Sequence, residues 1–201
     1  MINYIVEVIP FMKSFILASG SPRRKELLEQ AHYVFSIEAS TIIEIVEEGL
    51  PPADVVQQLA SQKAEDVWSR NKEAVVLGSD TVVAFGNNIL GKPQDKEEAE
   101  AVLRMLSGHT HSVYTGVALC SSDGINTFYE KTDVEFYPLS EGDIAMYIRS
   151  GEPFDKAGSY GIQGFGAYLV KRIIGDYFAV VGLPLAKTMR ELQKLGITPK
   201  V

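Results

Sequence analysis

Four stretches of the chain combine residue types that handle phosphate, protons or bases. The first is Ser19-Gly20-Ser21-Pro22-Arg23-Arg24. Its small residues let backbone N–H groups approach an anion, a helix starting there favours negative charge, and two guanidinium forks match phosphate oxygens. It is not a Walker A loop, since the G-x-x-x-x-G-K-[ST] pattern is absent, and P-loop chemistry is unsupported. The second is Gly78-Ser79-Asp80-Thr81, after an apolar strand. In α/β folds ligand groups cluster at such strand ends, and a carboxylate there can hold Mg²⁺ or orient a water while Thr81 meets a base or phosphate. Glu44 is a possible second carboxylate, although Glu47 and Glu48 stand close by in the same acidic run. Third come three lysines: Lys63, Lys92 in Gly91-Lys92-Pro93, and Lys156 in Asp155-Lys156-Ala157-Gly158. With Arg23 and Arg24 they supply cations suited to a triphosphate that shares its charge with a divalent ion. The fourth is Ser159 to Gly166, where Gln163 carries both a donor and an acceptor and so can pair with a base edge offering one of each. Taken singly, each stretch also reads as an ordinary capped helix, turn, surface lysine or flexible loop.

The elements that must position these residues alternate between strand and helix signals. Phe15 to Ala18 is a short buried strand that passes through Ser21 as N-cap and Pro22 as first helical residue into a helix to Gln30. Val34 to Ala39 suits a strand. Pro51-Pro52 opens a long amphipathic helix with Val55, Val56, Leu59, Ala60, Ala64, Val67 and Trp68 at helical spacing. Ala74 to Leu77 is expected to be a strand that stops at Gly78-Ser79-Asp80, and Thr81 to Phe85 pairs with Ile89-Leu90 across Gly86-Asn87-Asn88. Asp95 and Glu98 form a capping-box pattern for a helix to Ser107, ended by Gly108. Two strands follow, Ser112 to Ser121 and Asn126 to Tyr137. Ser140 caps a short helix ending at Gly151, Glu152 to Gly166 is the most loop-like region, and Tyr168 to Ile173 with Tyr177 to Val181 reads as a hairpin around Gly175-Asp176. Leu185 to Leu195 closes as a helix. The pattern predicts one α/β unit on a mixed sheet over residues 14–201, preceded by residues 1–13 as an N-terminal extension or first strand.

Composition narrows the function classes. The 201 residues are 46% hydrophobic and 22% charged, which excludes disorder as the main state. Nineteen Lys and Arg against 26 Asp and Glu give a net charge of −7, the opposite of the field of a protein that wraps nucleic acid, so no nucleic-acid partner is expected. Net charge does not forbid a local cationic pocket, and it limits the size of a phosphate ligand more than its presence. The single Cys120 excludes an internal disulfide and fits a reducing cytoplasm. The apolar run Ile5 to Met12 contains Glu7, lacks a basic lead and is too short to span a bilayer, so no membrane partner is expected.

Together the segments resemble the Maf family of nucleotide pyrophosphatases. The resemblance is carried by Leu17-Ala-Ser-Gly-Ser-Pro-Arg-Arg-Lys-Glu-Leu-Leu28, Gly78-Ser-Asp-Thr81, Gly91-Lys-Pro93, Leu106-Ser-Gly108, Asp155-Lys-Ala-Gly-Ser-Tyr-Gly-Ile-Gln-Gly164, Gly175-Asp-Tyr177 and Val181-Gly-Leu-Pro184, in family order from about Phe15 onward. It implies a cytoplasmic enzyme that splits a nucleoside triphosphate between the α and β phosphorus with a divalent metal such as Mg²⁺, Mn²⁺ or Co²⁺. The implied fold is an elongated α/β structure with a cleft between two lobes, similar to that of inosine triphosphatases, and a homodimer is the common family assembly. Asp80 matches the catalytic proton acceptor, and Arg23, Thr81 and Gln163 match the substrate-selecting positions. Ser19, Arg24, Lys63, Lys92 and Lys156 match the phosphate-facing residues, and Glu44 with Asp80 the implied metal ligands. Gln163 is what the branch selective for dTTP and UTP carries, whereas the 7-methyl-GTP branch has glutamate there. The readings left open are a purine-selective pyrophosphatase of the 7-methyl-GTP or inosine type and, in another class, a nucleotide-binding regulator of septum formation.

Overall fold

A computed structural model describes residues 13–86 and 88–201; the expected first strand within residues 1–13 lies, apart from Lys13, outside them. The elements in chain order are β1 (Phe15–Leu17), α1 (Pro22–Gln30), β2 (Ser36–Ile37), α2 (Pro52–Arg70), β3 (Val75–Phe85), β4 (Asn88–Leu90), α3 (Lys96–Leu106), β5 (Thr110–Ser121), β6 (Gly124–Phe136), α4 (Glu141–Arg149), β7 (Val170–Ile174), α5 (Tyr177–Val181) and α6 (Leu185–Lys194). Three 3-10 turns, Glu152–Asp155, Ala157–Ser159 and Gly164–Leu169, fill the stretch before β7. The strands form one mixed seven-stranded sheet in the order β2-β1-β3-β5-β6-β7, with β4 paired to β3. Among the described residues parallel pairing is confined to β1 with β2 and with β3; every other pair is antiparallel. No described helix is long and apolar enough to cross a membrane.

Alternation along β3 and β5 sends apolar side chains to both faces of the sheet. On one face Val75, Leu77, Val117 and Leu119 pack under α1, α5 and α6 in a cluster with Leu27, Leu28, Val181, Leu183 and Leu192. Further along the same face Val83 and Val113 join a second cluster with Leu103, Leu106, Ile144, Tyr147 and Tyr160 from α3, α4 and the turns. The opposite face is covered by α2, whose Ala60, Ala64 and Val67 meet Val76 and Ala118 while Val55, Val56 and Leu59 meet Val82.

Three expectations are corrected. β3 does not stop at Gly78: it runs through Ser79, Asp80 and Thr81, paired in register with Val117, Gly116 and Thr115 of β5. Gly78 serves close packing instead of a turn, because a Cβ there would meet the Ala60 carbonyl oxygen at 2.2 Å. Tyr177–Val181 is a helix and not the second arm of a hairpin, since Asp176 accepts the Phe178 N–H and caps it. The strand over Val34 to Ala39 shrinks to Ser36–Ile37. Ser21 stands at the N-cap of α1, yet its hydroxyl makes no cap bond. The capping at Asp95 and the box at Ser140 with Asp143 are present.

Candidate active site

Topology opens the site. On one edge of β3, β1 pairs only with Val75 to Leu77 and β4 only with Val83 to Phe85, so among the described residues Gly78 to Val82 has no strand partner on that side. β1 is terminated there by Ser19-Gly20-Ser21-Pro22, which turns the chain into α1. The exposed edge lies between the two apolar clusters of one face, and a cleft forms around it. Ser79 and Thr81 point to the clustered face; Asp80, one residue out of phase, points toward α2.

Arg23, Arg24, Lys63, Asp80, Thr81, Lys92, Lys156 and Gln163 all line this one cleft. Ser19 stands behind it as a partner of Arg24, and Glu44 reaches it through Lys63. Arg24 is half-buried and its guanidinium donates to the Gly182 carbonyl at 2.8 Å, Ser19 Oγ at 3.2 Å and Thr81 Oγ1 at 3.2 Å. Burial pushes its pKa down from the ordinary value, against the opposing attraction of Asp80. The Thr115 hydroxyl donates to the Ala179 carbonyl at 2.7 Å, so at the 2.9 Å contact between the two threonines Thr81 is the donor. The orientation of Thr81 is thereby set from both sides: it receives from Arg24 and gives to Thr115.

The carboxylates are held differently. Lys63 Nζ, from α2, meets Asp80 Oδ1 at 2.5 Å and Glu44 Oε1 at 3.0 Å. Glu44 lies on an exposed loop tied to α2: Asp66 accepts from Ser40 Oγ and the Thr41 N–H, and Gln62 bonds both the N–H and the carbonyl of Ile45. Asp155, which sequence reasoning did not single out, bonds Arg23 at 3.3 Å and Lys156 at 2.6 Å across the cleft mouth. Partial burial raises its pKa, but these two cations outweigh that and leave it below the usual carboxylate range. The Gly182 carbonyl was also missed; it takes both Arg24 Nε and Ser79 Oγ. Asp155 had a signal, its place beside Lys156 in a turn, whereas a backbone carbonyl has none. Gln163 makes no side-chain hydrogen bond among the described residues and faces the cleft with its amide unassigned.

Glu44 and Asp80 converge on the point that the Lys63 ammonium holds, and both offer only oxygen. The ammonium takes Asp80 Oδ1 and Glu44 Oε1, so a divalent ion such as Mg²⁺, which binds through one or two carboxylates and completes its shell with water and phosphate oxygens, would be held by the other oxygens of these two carboxylates. Among the described residues no group of three or more His, Cys, Asp or Glu side chains gathers, so an all-protein metal cage is absent there. Cys120 is buried and its thiol is pushed up to about 12 by burial, so it is no nucleophile.

Fold and site thus define an α/β protein with a cation-lined cleft at an open sheet edge, built to receive a compact polyanion. The chain belongs to the Maf family: the family described as Maf-like protein matches residues 14–195. A relative from Bacillus pumilus named dTTP/UTP pyrophosphatase is 55% identical over 188 residues, 94% of this chain and 100% of the relative. One of the same name from Halalkalibacterium halodurans is 52% identical over 189 residues, 94% of this chain and 100% of its own. The solved Ham1 protein of Staphylococcus aureus aligns over 92% of this chain and 91% of its own, at 17% identity and a TM-score of 0.45.

Proposed function

We propose that this protein hydrolyses dTTP and UTP to the nucleoside monophosphate and pyrophosphate. The observation that carries the reading is the joint placement, in one cleft, of Asp80, five cations and an unpaired Gln163 amide. The names of relatives at 52–55% identity support the same substrates. Thymine and uracil present an N–H flanked by carbonyls, which an amide meets with an acceptor and a donor. A carboxylate at Gln163 would have no donor for those carbonyls.

In this reading Arg24, Lys92 and Lys156 receive the phosphate oxygens. Arg24 and Lys92 have no carboxylate within ion-pair distance among the described residues, so no internal pair opposes that contact. Asp80 Oδ1 is held by Lys63, and Oδ2 has no partner among the described residues. Oδ2 is the atom that takes a proton from water as the water oxygen bonds the α phosphorus and the bond to the bridging oxygen breaks, with pyrophosphate leaving. A divalent ion at Glu44 and Asp80, when bound, supplies charge neutralisation of the phosphates.

The test is pyrophosphate release from dTTP, UTP, dCTP, GTP, ITP and 7-methyl-GTP. The wild type is expected to prefer dTTP and UTP, and Asp80→Asn to lose about 100-fold or more in kcat with its fold intact, the scale of a lost general base. Full activity in Asp80→Asn removes the catalytic assignment, and preference for a purine removes the substrate assignment.

A further inference from the structure

Resting on that reading of Gln163, we infer that Glu152 is a positioning residue for base selection: it caps the turn that follows Gln163, leaving the Gln163 amide free for the nucleotide. Gln163 occupies the N-cap of the 3-10 turn Gly164–Leu169 in an extended conformation, φ −82° and ψ 162°, yet makes no cap bond. At a helix N-cap a short polar side chain ordinarily accepts the N–H of the second or third residue onward, and the longer glutamine here leaves both donors to another acceptor. Those two donors are Phe165 and Gly166, and both go elsewhere: Phe165 N–H to Glu152 Oε1 at 2.9 Å and Gly166 N–H to Glu152 Oε2 at 3.2 Å. The carboxylate of a residue eleven positions upstream in the chain therefore does the work of the N-cap side chain.

Local shape is consistent with this arrangement. Gly164 has φ +66°, and a Cβ there would meet Glu152 Oε1 at 2.8 Å, so the carboxylate lies directly over a position that only glycine leaves open. The carbonyl of the same Glu152 accepts Lys156 Nζ at 2.6 Å. One residue thus sets the phosphate-facing lysine through its backbone and the base-facing amide through its side chain. A substitution of the side chain separates the two effects, because it leaves the carbonyl in place.

The experiment is a double-mutant cycle of Glu152→Gln and Gln163→Ala, read by steady-state kinetics on UTP and by the affinity for inorganic pyrophosphate. Glu152→Gln replaces one of two acceptor oxygens with a donor. It is expected to raise the KM for UTP about tenfold with kcat changed less, the scale of one lost hydrogen bond to a charged acceptor. Pyrophosphate affinity should stay within about twofold of wild type, since no phosphate contact is touched. The double variant should be no worse than Gln163→Ala alone, and Glu152→Asp, which keeps both oxygens, should recover part of the loss. An unchanged KM in Glu152→Gln, losses that add fully in the double variant, or a matching fall in pyrophosphate affinity would each overturn the proposal. Amide hydrogen exchange on the wild-type protein gives a reading that needs no variant to fold: Phe165 and Gly166 should be protected, and rapid exchange at both also overturns it. A wild type that releases no pyrophosphate from UTP overturns the functional reading instead, while protected amides would leave the capping by Glu152 standing.

Discussion

Arg24 places its three donating nitrogens on neutral oxygens only, those of Gly182, Ser19 and Thr81. Its charge is oriented without being neutralised by contact, which is the condition for receiving a phosphate. A lysine could keep the charge but has neither the fork nor the rigidity to reach three acceptors on different elements. Arg24→Lys is therefore expected to cut kcat/KM for UTP by about 10- to 100-fold, the scale of one or two charged hydrogen bonds. Retention of wild-type kcat/KM would show that the three bonds do not position the charge. The type and spacing of Arg23, Arg24, Asp80, Thr81 and Gln163 made these residues visible in the sequence. Their partners were not visible, because Asp155 lies 132 positions from Arg23 and Gly182 lies 158 from Arg24. Contacts of that separation are decided by the sheet order: the turn beside Lys156 marks Asp155 without naming Arg23 as its partner, and the Gly182 carbonyl carries no signal at all.

At the scale of elements, the approach of α2 to the sheet sets where Lys63 stands. Gly78 on β3 and Gly116 on β5 face this helix, and a Cβ at either would fall 2.2 Å from the Ala60 carbonyl or 2.3 Å from that of Val56. The helix backbone thus rests on the strands, which lets Lys63 reach Asp80 two strand positions beyond Gly78. Gly78→Ala forces the helix away at a cost of about 1–3 kcal/mol. The expected result is a lower midpoint in urea unfolding together with a fall in kcat; a variant as stable and as active as wild type would refute the close-packing argument. The amphipathic period of α2 and the cap residues of α3 and α4 were legible because long helices repeat and caps are local chemistry. Gly78-Ser79-Asp80 misled because its composition is that of a turn, while within the strand Gly78 serves close packing and Asp80 meets Lys63. Tyr177–Val181 misled for the opposite reason: aromatic and β-branched residues suggest a strand, and five residues are too few to show a helical period against the cap that Asp176 supplies.

For the whole molecule, the long strands β3, β5 and β6 run under both apolar clusters of one face, so a buried group in either bears on the stability of the chain. His111 on β5 is such a group: it is 2% exposed, its Nε2 lies 2.7 Å from Tyr160 Oη, and its Nδ1 has no partner among the described residues. Burial pushes its pKa down to about 4, with a smaller opposing pull from Asp133. In the unfolded chain a histidine titrates near 6.5. Between those values the unfolded state binds more protons than the folded one, so stability falls as pH falls, with the full contribution present above about 6.5 and the loss complete below about 4. Carboxylates held below their ordinary range, such as Asp133, Glu135 and Glu141, act in the same direction but only at lower pH, where the unfolded carboxylates begin to protonate. The interval from about pH 6.5 to 5 therefore isolates His111. Urea unfolding should give about 2 kcal/mol less stability at pH 5 than at pH 7, and His111→Gln, which has nothing to titrate there, should flatten that dependence. Equal stability of the wild type at the two pH values would show that His111 takes a proton as readily in the folded chain as in the unfolded one, and would refute the burial argument.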